Sequence, residues 1–323
     1  MEAAFRTFNS HIGEGADCWN PRLWANLPVE GKLELLAFLQ KCEAARKWPH
    51  HFLLTLIVLI GKPGGGDRPI ALTAGGYRCW SASRKCCVAN WEHEWAGFWD
   101  KAIRGSDALR AAVVRQVASE VAFHLGASVA RILWDCEKFY DLIDPSFPAK
   151  AAISMQYPAL IMYMGMLVHM SARVVSNDLC FSTPAMPKSG ILAGCTQSVP
   201  WTRIYLYDIL DNLHKSYRPT TVESWVDDLA QQVVGSRQTL IKSTVGAATF
   251  LATSLIERGA RISNKSCILA SDTGIAQDIM AVLSEHLSIQ TTARDFSINA
   301  TIMQVRRVGV MKQRHTKLKH VEG

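Results

Sequence analysis

Two short runs of residues rich in β-branched side chains meet at a pair of adjacent acids, and this segment constrains the fold more than any other. The runs cover residues 221–226 and 230–234, with Asp227-Asp228 between them. Neither run is long enough for a helix, and both have the composition of strands, so we predict a β-hairpin. Adjacent carboxylates at a hairpin tip repel each other, which is costly unless a cation lies beside them. Taken alone, the pair is more simply interpreted as an acidic turn.

A further acid upstream changes that interpretation. Residues 129–134 form a predicted apolar strand that runs directly into Asp135. Asp135 and Asp227 can therefore form an acidic floor carried on two strands. Such a floor suits magnesium, because that ion prefers one or two carboxylates together with waters and phosphate oxygens. Two such ions can activate an attacking hydroxyl and stabilise a leaving pyrophosphate.

Length and composition indicate a globular chain. Its 323 residues suffice for one large domain or two smaller ones, and 49% of them are hydrophobic. The nine cysteines form neither a C-x-x-C pair nor a zinc-type Cys/His spacing, which predicts reduced thiols in an intracellular protein. No signal peptide is apparent, and the most apolar run, 52–60, is too short to span a bilayer. These features do not distinguish nucleus from cytoplasm.

The net charge of +7 is concentrated in two segments. Residues 303–323 carry several basic side chains against Glu322 alone, and residues 62–85 carry a second group against Asp67 alone. The basic residues are Arg306, Arg307, Lys312, Arg314, Lys317 and Lys319 in the first segment and Lys62, Arg68, Arg78, Arg84 and Lys85 in the second. Such clusters suit phosphate-rich partners. A solvated terminus and an exposed loop explain them equally well.

Hydrophobic periodicity predicts helices and strands in alternation along the chain. The predicted helices cover 28–47, 106–125, 198–214, 239–258 and 275–287, and strands or strand pairs cover 52–60, 68–73, 129–134, 172–182, 221–234 and 260–270. A glycine-rich tip at 61–66 joins the first two strands, and a loop covers 188–194. The apolar, methionine-rich segment 145–170 is interrupted by two prolines.

Two helix faces receive specific interpretations. In the helix 106–125, Ser106 is the predicted N-cap. Its apolar side consists of Leu109, Val113, Val117, Val121 and Leu125. A second face carries a tryptophan at every fourth position, at Trp91, Trp95 and Trp99. That spacing places the three rings on one side of a helix, where a core stripe is a simpler interpretation than base stacking.

Five segments, taken in order over roughly residues 50–270, resemble the sequence blocks of reverse transcriptases, most closely those of non-LTR (LINE-type) retroelements. In Asp135–Asp141 an aspartate is followed five residues later by an aromatic residue and six later by a second aspartate, as in the first catalytic block. The segment Trp225-Val-Asp-Asp228 resembles the aromatic-x-Asp-Asp block. The others are Lys62 with 68–72 (the fingers hairpin), 189–198 (the glycine-rich loop) and 259–265 with Asn264-Lys265-Ser266 (the downstream lysine block). Each segment is a weak signal, whereas their shared order is specific.

The resemblance implies a role for each matched residue. Asp135 and Asp227 would be the principal metal ligands, Asp228 a ligand or a supporting charge, and the backbone carbonyl of Cys136 a further metal contact. Tyr140 would be the steric gate that excludes a 2′-hydroxyl. The other implied nucleotide contacts are Arg68 and Lys62 to the triphosphate, Lys265 near the departing pyrophosphate, and Gly194 against the base pair. As an alternative, Lys62 and Lys265 are ordinary surface lysines.

Three features depart from the family pattern. The aromatic residue that opens the Asp-Asp block is usually Tyr or Phe, and here it is Trp225. The glycine-rich loop usually carries Gln before its second glycine, and here that residue is Ala193. After the last block only about fifty residues follow, so we expect the thumb to be largely absent.

The resemblance implies an α+β right-hand polymerase core, with an antiparallel palm sheet, flanking helices and fingers. The expected division is 1–49 for an N-terminal helical extension, 50–134 for the fingers with part of the palm, 135–300 for the palm and 301–323 for a basic tail. The implied activity is RNA-directed DNA synthesis, with an RNA template, a DNA primer, deoxynucleoside triphosphates and two Mg²⁺ ions, or Mn²⁺ in their place. A nucleic-acid-binding remnant without catalysis is the main alternative. A group II intron-type maturase or an unrelated magnesium phosphotransferase fits the blocks less well, and no membrane partner is expected.

Overall fold

The computed structural model describes residues 2–63, 65–103, 105–177, 180–287 and 292–295. The basic segment 301–323 therefore lies outside the described residues. The helices are α1 (Glu2–Arg6), α2 (Val29–Ala45), α3 (Gly75–Ser83), α4 (Lys85–Trp95), α5 (Ala108–His124), α6 (Phe139–Leu142), α7 (Ser146–Ser154), α8 (Ala159–His169), α9 (Ser198–Ser216), α10 (Arg237–Glu257) and α11 (Thr273–Leu287). The strands are β1 (Leu54–Gly61), β2 (Asp67–Leu72), β3 (Ser128–Trp134), β4 (Ala172–Asn177), β5 (Cys180–Phe181), β6 (Thr220–Trp225), β7 (Asp228–Gly235), β8 (Cys267–Ala270) and β9 (Thr292–Asp295).

The chain forms two compact units, and each is assembled from two separate stretches. The first unit comprises Met1–Trp95 and Tyr140–Tyr205, and the second comprises Ala96–Phe139 and Leu206–Gly323. The assignment of fingers and palm to parts of the chain stays a prediction.

The first unit contains a mixed sheet with the strand order β2-β1-β4-β5. β1 pairs antiparallel with β2 and parallel with β4. In the same unit Trp48 belongs to a cluster of large aromatic side chains, and its ring packs edge-on against Trp80 with the centroids 5.2 Å apart. Edge-to-face contact at this distance is a favourable arrangement for buried rings.

The second unit contains a sheet with the strand order β6-β7-β3-β8-β9. Its pairs are antiparallel except for the parallel pair β8–β9. The central strand β3 is buried along most of its length, which explains its run of apolar residues. One buried exception, Arg131, donates from its guanidinium to Gln232 Oε1 at 2.6 Å and Ser119 Oγ at 2.7 Å. The hydrogen bonds compensate for burying a polar group.

α10 is long and apolar enough to cross a membrane by length and composition, and it is the one helix among the described residues that meets both criteria. Its buried residues are Leu240, Thr244, Ala247, Ala248, Leu251, Ala252 and Leu255. This face packs on β3 and β7 of the same unit. Such burial is typical of a core helix.

Most predicted elements are present close to their predicted bounds. The hairpins predicted at 52–73, 172–182 and 221–234 correspond to β1–β2, β4–β5 and β6–β7. The strand that runs into Asp135 is β3. The predicted apolar segment 145–170 forms α7 and α8, with Pro158 as the N-cap of the second helix.

The prediction for the helix 106–125 is wrong in two details. Its N-cap is Asp107, not Ser106, and the Asp107 carboxylate accepts hydrogen bonds from the backbone N–H groups of Leu109 and Arg110. The predicted apolar side is also the exposed one: Leu109, Val113, Val117, Val121 and Leu125 are between 46% and 81% exposed. The buried side consists of Ala112, Gln116 and Ser119. Ser119 bonds the buried Arg131, so a polar network, not the valine stripe, attaches this helix to the sheet.

Two further predictions need correction. α4 ends at Trp95, so Trp99 does not share a helix face with Trp91. Trp91 packs on Tyr157 in the first unit, with the ring centroids 4.9 Å apart, and Trp99 packs on Tyr207 in the second, at 5.4 Å. The segment 260–270 contains the single strand β8 and not a strand pair. Ahead of β8, an isolated bridge joins Ile262 to Cys136.

Candidate active site

The acidic hairpin of the second unit closes in a two-residue turn. β6 and β7 pair without interruption up to Trp225 opposite Asp228, which leaves Val226 and Asp227 as the turn. Val226 has φ +62°, a left-handed conformation that β-branched residues rarely adopt. Two-residue hairpin turns require a positive φ at this position, and Gly or Asn usually occupies it. The paired strands therefore impose a backbone conformation on Val226 that its side chain disfavours.

Asp135 and Asp228 lie at adjoining ends of the paired strands β3 and β7. The pairing of β3 with β7 ends at Trp134 opposite Leu229. The next residue on one strand is Asp135, and the next on the other is Asp228. Asp135 and Asp227 are half-buried, whereas Asp228 is exposed.

The thiol of Cys136 lies close enough to these acids to be affected by their negative charge. Burial raises the pKa of the Cys136 thiol to about 12, and the negative charges of Asp135, Asp227 and Asp228 add to this effect. A carboxylate disfavours a nearby thiolate only over a short range. All three carboxylates therefore lie within electrostatic reach of one side chain at the end of β3.

The turn that carries Lys265 is fastened to the main chain of Asp135. The backbone N–H of Ser263 donates to the Asp135 carbonyl at 2.7 Å, and the Asp135 N–H donates to Ser266 Oγ at 3.1 Å. Between these two serines, the Lys265 N–H donates to Ser263 Oγ at 3.1 Å. The Lys265 side chain itself is exposed. Lys265 and Asp135 thus belong to one hydrogen-bonded region of the second unit.

The donor set at the end of β3 is compatible with magnesium. Within the part of the chain that the structure describes, no three His, Cys, Asp or Glu side chains form a group that could hold a metal ion by themselves. Magnesium does not need such a group, since it usually keeps several waters and binds one or two carboxylates with substrate phosphates. Asp135 and Asp227, with the Cys136 carbonyl, supply oxygen donors of the required kind.

The predicted nucleotide contacts Lys62 and Arg68 lie on the β1–β2 hairpin of the first unit. Arg68 pairs with Ile60, and the Lys62 N–H donates to the Gly66 carbonyl at 2.8 Å. Both side chains are exposed, and neither forms a salt bridge to another described residue. They extend from the end of a hairpin with their charges open to solvent.

The glycine-rich loop 188–194 is attached to the segment that carries Tyr140. The Ile191 N–H donates to the Tyr140 carbonyl at 2.8 Å, and Ser189 Oγ donates to the Asp141 carbonyl at 3.0 Å. Gly190, with φ +91°, lies so close that an added Cβ would be 2.9 Å from the Asp141 carbonyl oxygen. Only glycine meets both the conformational and the steric requirement.

Gly194 lies at the other end of this loop, beside β2. The Ala71 N–H donates to the Ala193 carbonyl at 3.0 Å. Gly194 has φ +101°, and a Cβ there would lie 3.4 Å from the Ala71 carbonyl oxygen. The requirement for glycine at this position is therefore conformational first, with little steric contribution.

Two residues that support the loop were missed by the sequence predictions. His169 Nδ1 accepts the N–H of Leu192 at 3.1 Å, and Arg173 Nη2 donates to the Gly190 carbonyl at 2.9 Å. Burial, aided by the charge of Arg173, lowers the pKa of His169 to about 3, so its ring stays neutral and can accept this bond. Both contacts join positions about twenty residues apart, and no local pattern in the sequence indicates them.

The structure thus assembles the predicted site residues in two groups. Asp135, Cys136, Asp227, Asp228 and Lys265 belong to the second unit. Lys62, Arg68, Tyr140 and Gly194 belong to the first.

Comparison with known proteins identifies the fold. No family model matches the chain, and no curated protein sequence matches it. Among solved structures, it is similar to apo telomerase from Candida tropicalis truncated from its C-terminal domain, with a TM-score of 0.51 and 14% identity over 69% of this chain and 51% of that one. It is also similar to telomerase from Candida tropicalis in complex with a TWJ fragment of telomeric RNA, with a TM-score of 0.52 and 12% identity over 69% of this chain and 42% of that one.

These neighbours define first a class, a mixed α and β fold with a polymerase-like core. Telomerase is a reverse transcriptase-related enzyme, so within that class the fold is reverse transcriptase-like. At this level of identity the likeness shows the fold alone. The chain spans about half or less of the telomerase chains that it matches.

Proposed function

We propose that this chain is the core of an RNA-directed DNA polymerase of the non-LTR retroelement type. The observation that carries the proposal is the position of Asp135 and Asp228 at neighbouring ends of β3 and β7, with Asp227 in the adjoining turn. The telomerase-like fold supports the same class of reaction. Its partners would be an RNA template, a DNA primer and deoxynucleoside triphosphates inside the cell, together with the thumb and endonuclease regions of a larger polyprotein.

In this proposal Asp135 and Asp227 hold Mg²⁺, or Mn²⁺ in its place, with Asp228 as a further ligand or a supporting charge and the Cys136 carbonyl as an additional donor. When bound, two such ions would activate the primer hydroxyl and stabilise the leaving pyrophosphate. The strand ends supply rigid oxygen ligands, which phosphoryl transfer needs because its catalysis is mostly positioning and charge stabilisation.

The remaining predicted residues would select and orient the nucleotide. Arg68 would bind the triphosphate through its planar guanidinium, and Lys62 would add a second charge. Lys265 would stabilise the negative charge of the departing pyrophosphate. The Tyr140 ring would exclude a 2′-hydroxyl, and Gly194 would let the backbone approach the base pair.

Primer extension on an RNA template tests the proposal. We expect the wild-type chain to lengthen a DNA primer and Asp227→Asn to lose at least about 100-fold in rate, since removing one charge-stabilising group commonly costs that much. Asp278→Asn is the matched control, because Asp278 is an exposed acid of the same unit. Asp278 forms an ion pair with Arg237, which also pairs with Asp272. An inactive wild-type chain of intact fold, or an unchanged rate in Asp227→Asn, contradicts the proposal.

A nucleic-acid-binding remnant is the second candidate, and Trp225 is the observation that favours it. Trp225 pairs with Asp228 at the end of the hairpin, where the family pattern has a smaller ring. A larger ring beside the acids would hinder a primer end without preventing backbone binding. Salt-dependent binding to an RNA–DNA duplex, with no extension, is the result that selects this candidate.

A further inference from the structure

Serine hydroxyls form hydrogen bonds that link both ends of the central strand β3 to the segments that flank β8. At the acidic end, Ser266 Oγ accepts the Asp135 N–H at 3.1 Å. At the opposite end, Ser271 Oγ accepts the Val129 N–H at 3.1 Å. In both contacts a serine hydroxyl accepts a backbone N–H of the strand at the same distance, and the two contacts lie at opposite ends of the strand.

The contact at the acidic end is the more enclosed of the two. Ser266 is fully buried, and its hydroxyl lies 3.4 Å from the Asp135 carbonyl as well as accepting the N–H of that residue. The regular pairing of β3 with β8 ends at Leu133 opposite Cys267, two residues before Asp135. Ser266 Oγ therefore supplies the acceptor for the Asp135 N–H beyond the regular β3–β8 pairing, while the Asp135 carbonyl accepts the backbone N–H of Ser263.

We propose that Ser266 is a positioning residue that orients the Asp135 carboxylate for metal binding. This inference rests on the proposed function. A hydroxyl bonded to both the N–H and the carbonyl of one residue restrains its φ and ψ, and these angles set the direction of the side chain. Without the hydroxyl, the Asp135 N–H loses its partner and the backbone there is freer to rotate. Residues that orient metal ligands in this way typically contribute about 10–100-fold in metal affinity or activity.

Ser271 distinguishes positioning from general stability. Ser271→Ala removes an equivalent bond from the same strand, far from the acids, so a purely structural role predicts similar effects for both variants. A positioning role predicts that both variants lose some thermal stability while Ser266→Ala alone weakens metal binding.

The experiment measures Mn²⁺ binding by the electron paramagnetic resonance of free Mn²⁺, using the full chain as wild type, Asp135→Asn, Ser266→Ala and Ser271→Ala. We expect Ser266→Ala to weaken the Asp135-dependent binding about tenfold or more and Ser271→Ala to change it by less than about twofold. Equal Mn²⁺ affinity in the two serine variants overturns the inference. If Ser266→Ala does not fold, Ser266→Cys keeps the volume with a weaker acceptor. Wild-type affinity in that variant also overturns the inference.

Primer extension, run on the same samples, separates this inference from the proposed function. If the wild type extends a primer and the serine variants bind Mn²⁺ equally, the inference fails and the proposed function stands. If no chain extends a primer but Ser266→Ala alone weakens Mn²⁺ binding, the function fails and the positioning role stands. Absence of Asp135-dependent Mn²⁺ binding contradicts both.

Discussion

The glycine-rich loop shows how single residues determine the local backbone. Gly190 has a positive φ and no room for a Cβ, whereas Gly126 has a positive φ with nothing within 4 Å of its Cβ position. The two positions therefore separate conformational strain from steric exclusion.

We predict that Gly190→Ala destabilises the protein more than Gly126→Ala. A left-handed backbone costs an alanine about 1–2 kcal/mol at either position. At Gly190 the contact with the Asp141 carbonyl adds a further cost of about 1 kcal/mol or more. The free energy of unfolding in urea measures both. Equal losses would show that the loop moves to admit the methyl group.

His169 provides a pH-dependent test of how the loop is held. Its pKa is lowered to about 3 in the folded protein and is about 6.5 in an unfolded chain. Between these values the unfolded chain binds the extra proton, so the free energy of unfolding should fall as the pH drops below 6.5, by up to about 1.4 kcal/mol per pH unit. The comparison of urea midpoints between pH 7.5 and 5 for wild type and His169→Gln checks this. Parallel pH profiles would contradict it.

Sequence patterns predicted the acidic residues but not the backbone conformation and contacts that hold the site and its loop in place. Asp135 and Asp227-Asp228 directly adjoin strand-like runs of residues, so the local sequence pattern was enough to predict their positions. The positive φ of Val226, the hydroxyl of Ser266 and the contact of His169 with the loop depend on tertiary structure. No periodicity or turn signal encodes them.

At the scale of elements, α5 shows the limit of amphipathic patterns. Its valine stripe correctly predicts a helix, but the face that packs on the sheet is chosen by Ser119 and the buried Arg131. When a helix carries apolar residues on both sides, its sequence does not indicate which side packs against the sheet. Strand order likewise was not predicted, since β1 pairs with β4 across a long stretch of intervening chain.

This arrangement predicts effects of different size for two substitutions on α5. Val117 is 51% exposed and Ala112 is 9% exposed. Val117→Glu should change the free energy of unfolding by no more than about 0.5 kcal/mol, as surface substitutions do. Ala112→Glu should cost several times more, because it buries a charge without a partner. Thermal unfolding of both variants is the measurement. Strong destabilisation by Val117→Glu would show that the stripe is covered.

At the scale of the whole molecule, the order of the five blocks predicted a reverse transcriptase-like polymerase fold, and the telomerase structures confirm it at that level. The non-LTR origin and the magnesium chemistry stay proposals. The division into two interleaved units could not be predicted, because each unit unites stretches that are distant in the chain. The basic segment 301–323 lies outside the described residues, so its binding to phosphate-rich partners stays a prediction.

Template-directed addition of a single nucleotide tests the central claim most directly. The purified chain is given a DNA primer on an RNA template, with each deoxynucleoside triphosphate in turn and Mg²⁺ present. The predicted result is addition of the complementary nucleotide alone, abolished in Asp135→Asn. No addition by a folded wild-type chain, addition that ignores the template base, or equal addition by Asp135→Asn would contradict the account.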